Sequence, residues 1–418
     1  MFTLDSKSNQ YSLIISFSVF LFYAINQSVP SGYSYGASLL LAASFFFLAC
    51  RPALGLTAED KTYLYALISF FAVAVFVCLL HGNPIRTLDM PSRFLLAIPI
   101  FLLLLKVPPR LPWFWAGVAL GSYSVCGVAL WQLHVLGMRD VQGLTNGVRF
   151  GGISTMFSVL CIAGLFWAQR ENVKHVWLWR LALALGMVGA AYGSIMSGTR
   201  GAWISIPVVF VLFCIGSCNK HNIYRVGTVV VVLLAVVSAW YVAMPNNPVE
   251  KRYEQAVKDI SNYVEKDNAK GSIGARFEIW RAATINIPQK PIFGWGVDEY
   301  RAQLEQQVAS KELDPVVLTL AHTHNLYLAT LVYQGIFGLL PILALFVFPF
   351  WFFCRRLLSD NRNVRVLAIA GGSQLAVFGI LGASHTVLYR NDSLLFFFIT
   401  LMTLWGCMKR EEAGGSGR

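Results

Sequence analysis

Apolar runs of about 15–25 residues recur along nearly the whole chain, the length an α-helix needs to cross the hydrocarbon of a bilayer. They lie near 12–28, 33–50, 62–80, 93–106, 112–136, 151–168, 177–196, 202–217, 225–244, 325–354, 365–384 and 393–408. The expected fold class is an all-α polytopic membrane protein with about 12 transmembrane helices. The tenth run is too long for one span, and its first half is expected to start as a partly polar helix at the interface. Composition agrees: 56 % of residues are hydrophobic, 13 % are charged and mean hydropathy is +0.59. A soluble chain of this length would divide into about two or three domains. The polar stretch Met1–Tyr11 precedes the first run and no small-residue cleavage site follows, which predicts a retained first helix.

Orientation follows from lysine and arginine in the short connections. Alternate connections carry Arg51 and Lys61; Lys106 and Arg110; Arg170, Lys174 and Arg180; Lys220 and Arg225; Arg355, Arg356, Arg362 and Arg365; and the tail adds Lys409 and Arg410. This pattern predicts that both termini are cytoplasmic and that the long polar stretch 245–324 lies outside. The net charge of +12 is then mostly this bias rather than a nucleic-acid surface. The expected organisation is helices 1–9 over 1–244, a helical external segment over 245–324, helices 10–12 over 325–410, and a tail over 411–418 whose end, Gly414–Arg418, looks appended. The eight cysteines sit in spans or at span ends and suggest no disulfide framework. Gly117-x-x-x-Gly121 and Gly189-x-x-x-Gly193 suit close helix packing more than oligomerisation.

The external stretch is too long for a passive loop. Pro245–Pro248 ends the ninth span, and 249–266 reads as an amphipathic helix with Tyr253, Val257, Ile260 and Val264 on one stripe. Ser272 can cap a second helix carrying Phe277, Trp280 and Thr284; Pro288, Pro291, Gly294 and Gly296 make a turn region; a third helix is expected over 298–311. The plain alternative is a structural cap over the bundle.

Several arginines lie on the external side, against the bias: Arg86, Arg93, Arg139, Arg149, Arg200 and Arg390. Snorkelling or pairing, of Arg86 or Arg93 with Asp89 and of Arg390 with Asp392, would account for some. A ring of guanidiniums also suits phosphate, which the planar fork binds through paired oxygens. Arg200 stands in Ser197-Gly198-Thr199-Arg200-Gly201-Ala202-Trp203, where small residues let a substrate approach the backbone between two spans. Arg276 opens Arg276-Phe277-Glu278-Ile279-Trp280-Arg281 near a helix start, where a cation opposes the dipole unless an anion binds or Glu278 pairs with it.

His322 and His324 stand in Ala321-His322-Thr323-His324-Asn325-Leu326-Tyr327-Leu328, which closes the external stretch. No cysteine or third histidine is near them in sequence, so zinc is the weaker reading; a general base, a hydrogen-bond donor to phosphate, or both, is the stronger. Asn325 can cap the following helix and hold the histidines at its mouth. There is no P-loop, no Rossmann glycine pattern and no aspartate pair suggesting a metal-bound sugar nucleotide. An external enzyme without cofactor or metal, using an activated lipid, is chemically coherent.

At these residues the chain resembles the O-antigen ligase and polymerase superfamily of multi-span glycosyltransferases. Three motifs carry the resemblance: Ser197–Trp203; Arg276–Trp280 with Pro291-Ile292-Phe293-Gly294-Trp295-Gly296; and His322–Leu328 with Gly335-Ile336-Phe337-Gly338. Among its members the ligases of the lipopolysaccharide pathway look most similar. That resemblance implies a GT-C-like bundle at the periplasmic face of a Gram-negative inner membrane. It implies metal-independent transfer of glycan from undecaprenyl pyrophosphate to a sugar of lipid A–core oligosaccharide, and a single in-line attack would invert the anomeric configuration. It makes Arg200 and Arg276 the motif arginines and His324, with His322 as rival, the motif histidine; Arg281, Asn325, Arg86, Arg93, Arg390 and Asp392 would help to bind substrate. An O-antigen polymerase, a protein O-oligosaccharyltransferase and, from another class, a multi-span transporter stay open.

Overall fold

The computed structural model describes residues 4–169, 175–217, 254, 257–258, 260–261, 263, 271–320 and 322–415. The expected ninth span, the loop residues Arg170, Lys174, Lys220 and Arg225, and most of the expected amphipathic helix 249–266 lie outside the described residues. Of that helix's stripe only Val257 and Ile260 are described, and both are exposed.

The described residues are helical, with no strand. In chain order the helices are α1 (Leu4–Ala24), α2 (Gly32–Ala49), α3 (Ala58–Leu80), α4 (Asp89–Lys106), α5 (Leu111–Leu130), α6 (Gly147–Trp167), α7 (Val176–Ser197), α8 (Arg200–Trp203) and α9 (Ile206–Ser217). After the long polar stretch begins come α10 (Ser272–Asn286), α11 (Val297–Ala309), α12 (Leu326–Cys354), α13 (Arg362–Gly382) and α14 (Asn391–Gly415). Among the described residues ten helical stretches are long and apolar enough to cross a membrane, and α1 adds a shorter apolar one. The chain is a multi-pass membrane protein.

The helix starts follow local chemistry. Thr57 and Asp60 form a reciprocal capping box for α3, and the side chains of Asn146, Asn325 and Asn361 accept from the first amides of α6, α12 and α13. Ser272 does not hold the cap position of α10: Gly271 does, with no side chain to bond the helix start. The last helix continues to Gly415, so Glu411 and Glu412 belong to it rather than to a separate tail; Glu412 pairs with Arg356 at 2.6 Å.

Helices α6, α13 and α14 form the centre, with 78 %, 83 % and 89 % of their apolar stretches buried. The glycine pairs bring outer helices close. A Cβ at Gly117 or Gly121 would stand 2.9 Å or 2.3 Å from the carbonyl oxygens of Phe20 or Tyr23 on α1, and one at Gly193 2.6 Å from Val125 on α5. At the lysine- and arginine-rich end, Arg356 bonds Glu59 and Lys409 bonds the same carboxylate at 2.8 Å, which ties together α3, α12 and α14.

The opposite end carries the polar segment, and it has its own core: Ile279, Ala282, Ala283, Trp295, Tyr300, Leu304, Leu313 and Val317 pack with Val332 of α12. Its anchorage explains the break in the long tenth run. Gly335 takes φ 64° and ψ −160°, outside helical space, and splits α12 into two halves. The freed backbone groups are re-paired by Pro291–Gly296: the amides of Trp295 and Gly296 donate to the carbonyls of Val332 and Tyr333, and those of Ile336 and Phe337 donate to Pro291 and Ile292. A Cβ at Gly335 would lie 2.2 Å from the Ile292 oxygen, and one at Gly294 2.5 Å from the Gln334 nitrogen. The glycines of the second and third motifs are thus two halves of one junction. Gly335→Ala should lose about 1–3 kcal/mol from backbone strain alone, with the clash in addition. A lower thermal midpoint in detergent and a protease-sensitive 271–325 segment would show it; an unchanged midpoint would contradict it.

Candidate active site

The first motif closes α7. Gly198 ends the helix at φ 66°, and Ser197 and Thr199 hydroxyls bond each other at 2.8 Å, Thr199 also donating to the Gly147 carbonyl. Arg200 therefore begins α8 against the start of α6, and Gly201 lies against Ser384 after α13. The turn needs small residues because three helix ends meet there.

Arg276, the fifth residue of α10, lies close enough to Arg200 to sense its charge. Glu278 does not pair with Arg276, because residues two apart on a helix face different ways. Glu278 is buried and accepts instead from Arg281 (3.2 Å), the Tyr263 hydroxyl (2.9 Å) and the Asp314 amide (3.1 Å). Arg281 is thus a structural tie with a half-exposed side chain. Among the described residues Arg276 has no carboxylate partner. Burial, and then the positive Arg200, lower its pKa. An anion between these two guanidiniums would relieve both effects.

The histidine loop is fastened to α10 by Trp280, whose indole N–H donates to the Thr323 carbonyl at 2.8 Å. Thr323 bonds the Asn325 backbone, and the Asn325 side chain accepts from the Tyr327 and Leu328 amides at 2.9 and 3.1 Å. Between them His324 is forced to φ 53°, a left-handed conformation that a non-glycine residue adopts at a cost.

A third histidine completes the group. His385, just after α13, is buried and stands 5.9 Å and 6.2 Å, ring centre to ring centre, from His322 and His324, which are 4.4 Å from each other. The Nδ1 atoms of all three are buried without a hydrogen-bond partner among the described residues. Sequence reasoning found no third histidine, since His385 is distant in the chain, and its setting, His385-Thr386 after an apolar run, gave no warning. No three His, Cys, Asp or Glu side chains among the described residues are placed to share a metal ion.

Burial is the first cause that keeps the imidazoles neutral. It lowers His324 to about 4, helped by His322 and Arg276, and His385 to about 3, helped by the other two histidines, Arg149 and Arg276. His322 is lowered in the same way, by burial and then by Arg390, Arg276 and Arg149.

The remaining expected residues divide. Arg93 pairs with Asp89 at 3.0 Å. Asp392 does not pair with Arg390. It sits in the first turn of α14, buried, and takes Arg149 at 2.7 Å, while Arg390 is in extended backbone two residues earlier and points elsewhere. Arg149 was read only as one of the external arginines; it is the link between α6 and α14 beside the histidines. Arg86 and Arg390 join His322 in the wall of a cavity of about 340 Å³. The arrangement offers neutral bases, a cluster of cations able to hold a charged leaving group, and room for a polar ligand.

Residues 185–343 match the family described as O-Antigen ligase, a stretch containing Arg200, Arg276, His322 and His324. The chain is 28 % identical over 403 residues to a protein of Haemophilus influenzae without an assigned function, covering 95 % of this chain and 98 % of that one. It is 25 % identical over 234 residues to the O-antigen ligase of Escherichia coli, covering 55 % of this chain and 53 % of that one. Arg86, Arg390, His385 and Asp392 lie outside the stretch matched by the family model, and the fold brings them to it. The chain is therefore similar to the O-antigen ligase family over residues 185–343, the stretch that carries the three motifs.

Proposed function

We propose that the protein transfers a glycan from undecaprenyl pyrophosphate to a sugar hydroxyl of lipid A–core oligosaccharide. The site faces the periplasm of a Gram-negative inner membrane, with both termini cytoplasmic. The observation that carries the reading is the convergence of the three motifs: Arg276 feels Arg200 directly, and His322, His324 and His385 all feel Arg276. Likeness to the O-antigen ligase family supports a lipid-linked glycan as substrate.

In the reaction the acceptor hydroxyl gives its proton to the His324 imidazole as its oxygen attacks the anomeric carbon. The bond from that carbon to the phosphate oxygen breaks, and undecaprenyl pyrophosphate leaves with the electron pair. Arg200 and Arg276 stabilise the growing negative charge, Arg149 adding to the field. In-line attack inverts the anomeric configuration. Burial, His322 and Arg276 keep the His324 imidazole neutral at neutral pH and so able to take that proton, and His385 packs beside it. Glu278, through Arg281, Tyr263 and Asp314, fixes the helix that carries Arg276.

Purified protein incubated with labelled lipid-linked glycan should glycosylate lipid A–core. Elongated lipid-linked glycan as the product would make it a polymerase, and modified protein an oligosaccharyltransferase. Glycan moved across vesicles without bond exchange would make it a transporter. Orientation has its own test. Glu305→Cys on α11 should react with an impermeant maleimide in intact spheroplasts, while native Cys50, exposed at the arginine-rich end, should react only after permeabilisation. The reverse pattern contradicts a periplasmic site.

A further inference from the structure

Two cations beside the histidines have no place in the donor chemistry. Arg86, before α4, and Arg390, before α14, stand in the wall of the 340 Å³ cavity, which also includes His322 but neither Arg200 nor Arg276. Among the described residues neither Arg86 nor Arg390 has a carboxylate partner; the one acid in the wall, Asp89, is held by Arg93. Deeper in the same wall, the Thr386 hydroxyl, 1 % exposed, and the Gln334 carbonyl oxygen are buried without hydrogen-bond partners, as is Nδ1 of His322. Unpaired buried polar groups are costly, and here three belong to residues in the wall of one cavity, together with Tyr333 and Tyr389.

We propose that this cavity binds the acceptor as an anionic saccharide, with Arg86 and Arg390 gripping a phosphate or carboxylate on the sugar. Thr386, Gln334 and His322 then take its hydroxyls. The volume is at the small end of the range for small-molecule sites, about 300–1,000 Å³, and fits sugar units rather than a lipid chain. Guanidiniums grip phosphate and carboxylate alike through paired N–H donors. Orphan hydroxyl and amide groups with tyrosine faces are what a sugar ring can satisfy and a bare anion cannot. The proposal rests on the glycosyl-transfer reading for the word acceptor. It places the two substrates on opposite flanks of His322, the donor pyrophosphate at Arg200 and Arg276 and the acceptor's charge at Arg86 and Arg390.

The test is saturation-transfer NMR on the full-length protein in detergent, with glucose 6-phosphate, glucuronate, glucose and inorganic phosphate as probes. At least one anionic sugar should bind tighter than both glucose and inorganic phosphate, and the stronger of the two tells phosphate from carboxylate. Arg86→Gln with Arg390→Gln should weaken the anionic sugar about tenfold or more and leave glucose unchanged, as loss of charge-assisted contacts predicts. Arg86→Lys with Arg390→Lys, which keeps the charge, should recover part of the binding and guards against misfolding. Thr386→Val should weaken anionic and neutral sugars alike. Arg200→Gln with Arg276→Gln should not change sugar binding. The proposal is overturned if the Gln pair binds like wild type, if inorganic phosphate matches the sugar phosphate, if no sugar saturates, or if sugar binding follows Arg200 and Arg276. If sugar binding behaves as stated and no glycan transfer is found, the transfer reading fails and the anionic-sugar site stands.

Discussion

Arg276→Ala is expected to lower single-turnover glycan transfer by about 10²–10³-fold, the cost of removing one preorganised group that stabilises a developing anion. Arg200→Ala should lose a similar factor. Arg276 is half-buried near the start of a helix, faces another arginine and has no carboxylate partner among the described residues. That arrangement opposes folding unless an anion is to be bound, so the alanine variant should fold at least as well as wild type. Transfer should therefore fall without a fall in yield or thermal midpoint. Arg276→Lys should restore only part of the rate, because an ammonium lacks the planar fork. A lysine variant with full activity would mean that the site needs charge alone. An alanine variant that fails to fold would make Arg276 structural.

His324→Ala should lose about 10²–10⁴-fold in transfer, the range for a positioned general base, and still bind the lipid-linked donor. His322→Ala should be milder and act through acceptor binding. His385→Gln should be intermediate, since it acts through its neighbours. The pH profile separates a base from a scaffold. The working form is the neutral imidazole, and in the folded protein His324 stays neutral down to about 4, against about 6.5 for an ordinary histidine. Transfer should therefore hold level from pH 8 to well below 6 and fall only as pH approaches about 4. Stability has the same sign: the unfolded chain binds protons at these histidines more readily than the folded one, so stability is full above about 6.5 and declines as pH falls toward the folded values. An acid limb centred near 6.5 would assign the base elsewhere, to a group not held by this cluster.

The fold was legible where single residues decide. Apolar runs located the described spans, although α1 starts eight residues before its run and α14 ends seven after its own, and Asn325 marks a helix start by its side-chain chemistry. The break in the tenth run was legible as excess length, but its partner was not: Pro291–Gly296 reads locally as a turn, and only the fold shows it re-pairing the backbone around Gly335. Motif residues Arg200, Arg276, His322 and His324 stood out because titratable side chains interrupt apolar or small-residue text. His385 did not, and Arg149 stood out only as one of several external arginines, because each lies at the end of a span far from the motifs, and proximity through helix packing has no local signature. The pairing of Asp392 was misread for the same reason: the neighbour in sequence was Arg390 and the neighbour in space is Arg149.

The central claim is that one site joins a lipid-pyrophosphate donor to a sugar acceptor through the histidines and the two motif arginines. The most direct measurement is single-turnover transfer by the purified protein, with a radiolabelled glycan on undecaprenyl pyrophosphate and purified lipid A–core as acceptor. Wild type should yield labelled lipid A–core with inverted anomeric configuration and free undecaprenyl pyrophosphate in equal amount. His324→Ala should yield neither while still binding donor. Labelled lipid A–core formed at the wild-type rate by His324→Ala and by Arg276→Ala would contradict the account, as would a wild-type protein that binds both substrates and releases no undecaprenyl pyrophosphate.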